Sequence, residues 1–205
     1  MINKPKIKET YICSLSDSVR NNNYSNLNVT GTDNNIFLSD VTLDSSLFNN
    51  VDFSSYNIAN VDLVDCIFNN CDLSNINFEN RYIRRVEFNN CKLMGTIFDN
   101  ANFSDVILND SSIKYISFNR SILKNVNFCS CNIEEGTFMN TNIKDVYFNN
   151  CNLRNSDFYE TNLVNIDLSS SVIDGIRVDI KNLKGATINV AEAVLLANML
   201  GINVK

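Results

Sequence analysis

The stretch CIFNN CDLSN INFEN RYIRR VEFNN CKLMG TIFDN (Cys66–Asn100) decides the fold, because every five-residue unit in it has an apolar residue at its centre. Extended outward, the same frame runs from Ile36 to Val190 without a slip, and the centre of all 31 units is Leu, Ile, Phe or Val. In a chain with 44% hydrophobic residues, such a run has a random probability on the order of 10⁻¹¹. A period of five is neither the 3.6 of a helix nor the 2.0 of a strand, so ordinary helices and flat strands are excluded here.

A second period closes the coil. FNNCDL (Phe68–Leu73), FNNCKL (Phe88–Leu93) and FNNCNL (Phe148–Leu153) are spaced by 20 and 60 residues, so four units make one turn. The implied fold is all-β, a right-handed quadrilateral parallel β-helix in which residue n lies over residue n−20, about 4.8 Å away. Sorted by side, Leu38, Ile58, Phe78, Phe98, Phe118, Phe138, Phe158 and Val178 form one column, and Phe48, Phe68, Phe88, Leu108, Phe128, Phe148, Leu168 and Ile188 form the opposite one. Two facing aromatic stacks wedged between two aliphatic columns fill a narrow square core.

Other repeat positions have simple physical readings. The residue two before each centre also points inward and is small; on one side it reads Val51, Cys71, Cys91, Ser111, Cys131, Cys151, Ser171. With no histidine and no paired CxxC spacing among seven cysteines, this column reads as packing by free thiols rather than a metal site, and no metal or cofactor is expected. The fifth residue is Asn, Asp, Gly or Ser in 24 of 31 units, the types that tolerate a positive φ or bond their own backbone. Asn49, Asn69, Asn89, Asn109 and Asn149 are expected to form an amide ladder up one edge.

Three segments follow: 1–35 as an N-terminal segment or partial capping coil, 36–190 as the solenoid, and 191–205 as a C-terminal helix and tail. Asn189 with Glu192 three residues on predicts a helix cap, with the helix at Val190–Leu200 and Gly201 after it. Ala193, Leu196, Ala197 and Leu200 form an arc suited to sealing the core, while Leu195, Met199, Ile202 and Val204 are apolar residues left over for a two-fold dimer.

The formal charge of −6 argues against nonspecific binding to nucleic acid or anionic membrane and suits a basic partner. The acids are uneven: the side starting at Leu38 carries Asp40, Glu79, Asp99, Asp157, Glu160 and Asp179 and sums to −4, whereas the side starting at Leu43 sums to +2. Those six carboxylates are the candidate partner-binding face. The first residues, MINKPKIKET, have no apolar run behind them, which predicts a cytoplasmic protein without signal peptide or membrane span. Catalysis is not expected: β-helical polysaccharide lyases carry catalytic groups on protruding loops, and this repeat has no loops. A general interaction scaffold is the alternative binding function.

The ending IRVDIKNLKGATINVAEAVLLANMLGINV (Ile176–Val204), after an uninterrupted repeat, resembles the C-terminal signature of the Qnr quinolone-resistance pentapeptide-repeat proteins. In that family a glycine-bearing last coil leads into a short helix and a Leu-Gly-Ile/Leu tail, matched here by Lys184–Gly185 and Leu200–Gly201–Ile202. The resemblance implies a rod-like dimer joined at its C-terminal ends that mimics DNA and acts on DNA gyrase and topoisomerase IV, protecting them from fluoroquinolones or inhibiting them. The frame here is unbroken, as in loopless relatives, and Glu192 stands where the family often has Gln.

Overall fold

The computed structural model describes residues 2–199 and 201–204. Each five-residue unit forms one side of a right-handed four-sided coil, and coils stack in the 20-residue register: Phe48 pairs with Phe68, Phe68 with Phe88, and Phe128 with Phe148. The strands are all parallel. After β1 (Tyr11–Ile12) and β2 (Leu27–Thr30) come β3 (Phe37–Ser39), β4 (Thr42–Asp44), β5 (Leu47–Asn49) and β6 (Asn57–Ala59). Then β7 (Asp62–Asn69), β8 (Tyr82–Asn89), β9 (Asn102–Asn109), β10 (Ile122–Cys129) and β11 (Asn142–Asn149) each run across two sides.

The corner between sides is a left-handed residue. Twenty-four non-glycine residues at the fifth position have φ from +49° to +62°, and Gly95, Gly175 and Gly185 share that region. Asn, Asp and Gly enter it with little strain, which explains the composition of this position. Arg85, Tyr115, Arg120, Glu135 and Glu160 adopt it without that advantage.

Inside, twelve phenylalanines are fully buried. Phe78, Phe98, Phe118, Phe138 and Phe158 stack with centroid separations of 5.1, 5.4, 5.2 and 4.5 Å. The facing stack runs Phe48–Phe68–Phe88 at 4.9 and 5.1 Å and resumes at Phe128–Phe148 at 5.0 Å. The two stacks meet edge to face, for example Phe138 with Phe148 at 5.9 Å, the preferred quadrupolar arrangement. The cysteine column packs as small side chains: the thiols of Cys71, Cys91, Cys131 and Cys151 donate to peptide carbonyls 23 residues back and two residues back. Ser111 makes the same pair of bonds with its hydroxyl.

The amide ladder is shorter than the repeat predicts. Asn69 donates to Asn49 at 3.0 Å, Asn89 to Asn69 at 3.0 Å and Asn109 to Asn89 at 2.9 Å. Cys129 occupies the next rung, so Asn149 turns to Asn127 at 2.8 Å instead.

Both ends are covered. In the N-terminal segment, β1 pairs with β2 and β2 pairs with β5, while α1 (Leu15–Arg20) buries Leu15 completely. Ser14 caps α1, its hydroxyl accepting the Asp17 N–H at 3.0 Å. At the other end, a 3₁₀ turn (Ile180–Leu183) and α2 (Val190–Met199) follow the last coil. Asn189 accepts the Glu192 N–H at 2.9 Å, forming the expected cap.

The coil ladder has two seams. Rungs such as Ile97 N–H to Ile76 C=O (3.0 Å) and Thr137 N–H to Ile116 C=O (2.9 Å) recur along the rod. Among the described residues, no backbone hydrogen bond joins 55–61 to 75–81, and none joins β11 to 162–169. At each place one coil is extended and the next is in tight turns, so their N–H and C=O groups no longer face. A bulky residue also stands at the first seam. Tyr56 fills a small-residue inward position, packs edge to face on Phe53 at 5.6 Å, and accepts the Asp33 N–H at 2.9 Å. Before the last coil, the only half-exposed central residues among those described are Ile58 and Ile143, one beside each seam.

Candidate functional site

The six carboxylates of the Leu38 side all lie on one face, but the coil geometry gives them different environments. Asp40 accepts Ser39 Oγ at 2.6 Å and Asn60 Nδ2 at 2.8 Å. These two donors hold its carboxyl below the ordinary value, so it stays charged. Glu79 and Glu160 are exposed; Glu79 Oε1 accepts Asn100 Nδ2 at 3.3 Å. Asp99 is held by Ser117 and by the Asn119 N–H at 3.0 Å, and lies 3.8 Å from the Arg120 guanidinium. Asp157 pairs with Arg177 at 3.1 Å, and Asp179 accepts the Glu160 N–H at 3.3 Å.

The face is therefore acidic at its two ends and neutral between them. Asp40 and Glu79 lie toward the first coils, and Asp157, Glu160 and Asp179 cluster toward the last, with Arg177 among them. Asp99 and its arginine stand alone in the middle. For the partly buried Asp99, Asp157 and Asp179 these local donors offset the cost of burial and hold the charges at defined places along the rod, whereas the Glu160 carboxylate is free in solvent.

The neighbouring side keeps its positive charges partly neutralised. Arg85 and Asp65 form a bidentate pair in which both side chains are nearly buried, at 11% and 7% exposed. Lys114 pairs with Glu134 at 2.8 Å on another side. Among the described residues no cluster of three His, Cys, Asp or Glu is arranged to hold a metal ion. The thiols are unpaired by disulfides and mostly buried; burial pushes Cys66 up to about 12, which keeps it protonated and inert as a nucleophile.

The C-terminal helix departs from the wheel drawn from its sequence. Leu196 and Ala197 are half-buried, but Ala193 is exposed; Leu200 lies outside the described residues. The inward residue that the wheel missed is Glu192, 7% exposed, whose Oε1 accepts the Ile173 N–H at 3.2 Å. The reason is the solenoid's end: its last full coil leaves an amide that an apolar residue would strand. The expected cap placed Glu192 only at the start of the helix, and nothing in the wheel turned it inward. Of the expected dimer residues, Leu195, Ile202 and Val204 are 37%, 53% and 51% exposed, while the Met199 side chain lies outside the described residues. Val190 adds an unexpected apolar neighbour at 83% exposed. None of the described helices is long and apolar enough to cross a membrane.

Fold and surface together define a four-sided parallel β-solenoid with capped ends and charged faces. The chain belongs to the pentapeptide-repeat proteins: the family model described as "Pentapeptide repeat region" matches residues 41–118, 61–138 and 116–178. No curated protein matches the chain. Among solved structures, the chain is similar to full-length QnrB1, a plasmid-mediated fluoroquinolone resistance protein, with 20% identity, a TM-score of 0.41, and coverage of 84% of this chain and 100% of that one. It is also similar to HetL, a pentapeptide-repeat protein involved in heterocyst differentiation regulation in the cyanobacterium Nostoc, with 13% identity, a TM-score of 0.39, and coverage of 86% and 96%.

Proposed function

We propose that this chain is a non-catalytic, DNA-mimicking protein that binds a type II topoisomerase, DNA gyrase or topoisomerase IV, in the cytoplasm and modulates it or protects it from fluoroquinolones. The observation that carries this reading is the Ile176–Val204 ending, whose residues resemble the Qnr signature and follow an unbroken repeat. The acidic face supports it: Asp40, Glu79, Asp99, Asp157, Glu160 and Asp179 would present carboxylates, all but that of Glu160 held by local donors, to a basic DNA-binding saddle. Thirty-one units make about 7.75 coils, rising roughly 37 Å at the strand spacing, so an end-to-end dimer forms a rod of about 75 Å. In this reading Leu195, Met199, Ile202 and Val204 form the junction.

The deciding experiment is gyrase supercoiling and drug-induced cleavage, with and without ciprofloxacin, at micromolar protein and low salt. Wild type should alter at least one of the two. Glu79→Lys with Glu160→Lys should keep the oligomer and weaken gyrase binding by about tenfold, most at low salt. Leu195→Asp with Met199→Asp should give soluble monomers and a weaker effect. If wild type changes neither reaction and shows no binding to gyrase, the topoisomerase reading fails and a scaffold for another protein replaces it.

A further inference from the structure

The N-terminal arm has no part in the coil ladder until Tyr11, yet it lies against the solenoid in a defined way. The Asn3 N–H and Nδ2 donate to Asp105 Oδ1 at 3.0 and 3.1 Å, and the Lys6 N–H donates to Asp65 Oδ1 at 2.8 Å. Asp65 and Asp105 occupy the same corner, 40 residues and therefore two coils apart, a rise of about 9.6 Å. Three residues of extended chain cover about 10 Å, so the arm crosses the coils along the rod axis with its main chain in step with alternate coils.

Both carboxylates are fixed from the solenoid side, independently of the arm. Arg85 Nε donates to Asp65 Oδ1 at 2.6 Å, and Asn125 Nδ2 donates to Asp105 Oδ1 at 3.2 Å. Burial on its own would raise both carboxyls, but Arg85, the arm's N–H groups and Asn125 hold them below the ordinary value. Two of the three bonds to the arm come from peptide N–H groups, which any residue but proline supplies. The arm's Lys4, Lys6 and Lys8 side chains are exposed, and Lys6 adds attraction to Asp65. Few contacts and no sheet pairing make such a segment the first part of the chain to open.

We propose that the Asp65–Arg85–Asp105 corner is a preformed track for an extended, lysine-bearing peptide segment of a partner protein, and that residues 2–10 occupy it in cis and must be displaced. The track reads a main chain through N–H groups three residues apart and favours basic side chains beside it. It lies on a different side from the Asp40–Asp179 face and does not depend on the identity of the partner there.

The test uses the full chain and a fluorescein-labelled peptide of residues 2–10, INKPKIKET. In the variant Asn3→Pro with Lys6→Pro, both N–H donors are lost while the solenoid is untouched, and the backbone of Lys4 and Ile7, ordered in wild type, should show the fast motion of a free tail in ¹⁵N relaxation. The peptide should bind this variant at least tenfold more tightly than wild type, whose tethered arm competes at an effective concentration of about a millimolar. Adding Asp105→Ala, which removes the acceptor, or replacing the peptide's three lysines by alanine, should remove that binding. Equal binding to wild type and variant, or none to either at millimolar peptide, overturns the proposal. So does an arm that stays as ordered in the double-proline protein as in wild type, because the three hydrogen bonds would then not be what holds it.

Discussion

Phe118→Ala probes whether the aromatic stack carries stability as one unit. Phe118 is fully buried, with Phe98 and Phe138 stacked at 5.4 and 5.2 Å and Phe103 and Phe128 edge-on at 5.3 and 6.0 Å. Removing the ring loses its transfer energy and leaves a cavity of about 100 Å³, which at about 24 cal/mol per Å³ contributes roughly 2.4 kcal/mol on its own. The ladder fixes the spacing of the coils, so the neighbours cannot close the space. The total expected is about 4 kcal/mol, within the usual range for such truncations. Phe78→Ala is the internal control: its stack has one ring partner, Phe98 at 5.1 Å, and it ends at the half-exposed Ile58 beside the first seam. There the loss should be smaller by about 2 kcal/mol, the difference of one stacked and two edge-to-face contacts at roughly 0.5–1.5 kcal/mol each. Urea melts of both variants read the difference directly. A cost below about 1 kcal/mol for Phe118→Ala, or no more than for Phe78→Ala, would refute the argument that a rigid register prevents collapse.

Tyr115 sits at φ +59° with its ring 5.6 Å from Lys114 Nζ; Tyr115→Asn should raise stability by about 0.5–1 kcal/mol, the left-handed strain relieved less a weak exposed cation–π contact, read as a shift in the urea midpoint. Burial alone would raise the Asp65 carboxyl, but Arg85 and the Lys6 N–H outweigh it and leave the folded pKa depressed. The contribution of Asp65 is therefore present above the unfolded value of about 3.9 and lost as pH falls through the lower folded value. Asp65→Asn should flatten the acid side of the stability profile and cost about 3 kcal/mol at neutral pH by stranding Arg85; an unchanged profile would contradict the pairing. Hydrogen exchange should single out Asn77 and Asp167, whose amides meet no carbonyl of the preceding coil, as much faster than Ile97 and Thr137, which do; equal protection would remove the seams.

Much of the fold was legible because the chain repeats one physical problem. Each unit must place one large apolar residue inward and turn a corner, so the centre and fifth positions announce themselves from Leu38 to Ile188. The 20-residue recurrence of FNNC then sets the register, and the observed pairing of Phe68 with Phe88 follows it. The exceptions arise where one residue departs from its column. Cys129 ends the amide ladder, and Tyr56 stands in a small-residue column beside the first seam without shifting the frame. The acidic face was visible as a list of carboxylates but not as two charged ends, because Arg120 and Arg177 act on particular partners across a coil. The inward bond of Glu192 to Ile173 and the arm on Asp65 and Asp105 were invisible, since the partners lie 19, 59 and 102 residues apart with no period to connect them.

The two seams open on different sides of the rod, the first beside Ile58 and the second along β11. A solenoid with an unbroken ladder bends like a uniform beam, resisting equally everywhere. This one has two places where part of the ladder is open, on different sides of the rod, while the remaining sides stay bonded and the Phe68–Phe88 and Phe138–Phe158 stacks run straight across, so bending there has fewer hydrogen bonds to stretch and a direction set by the open side.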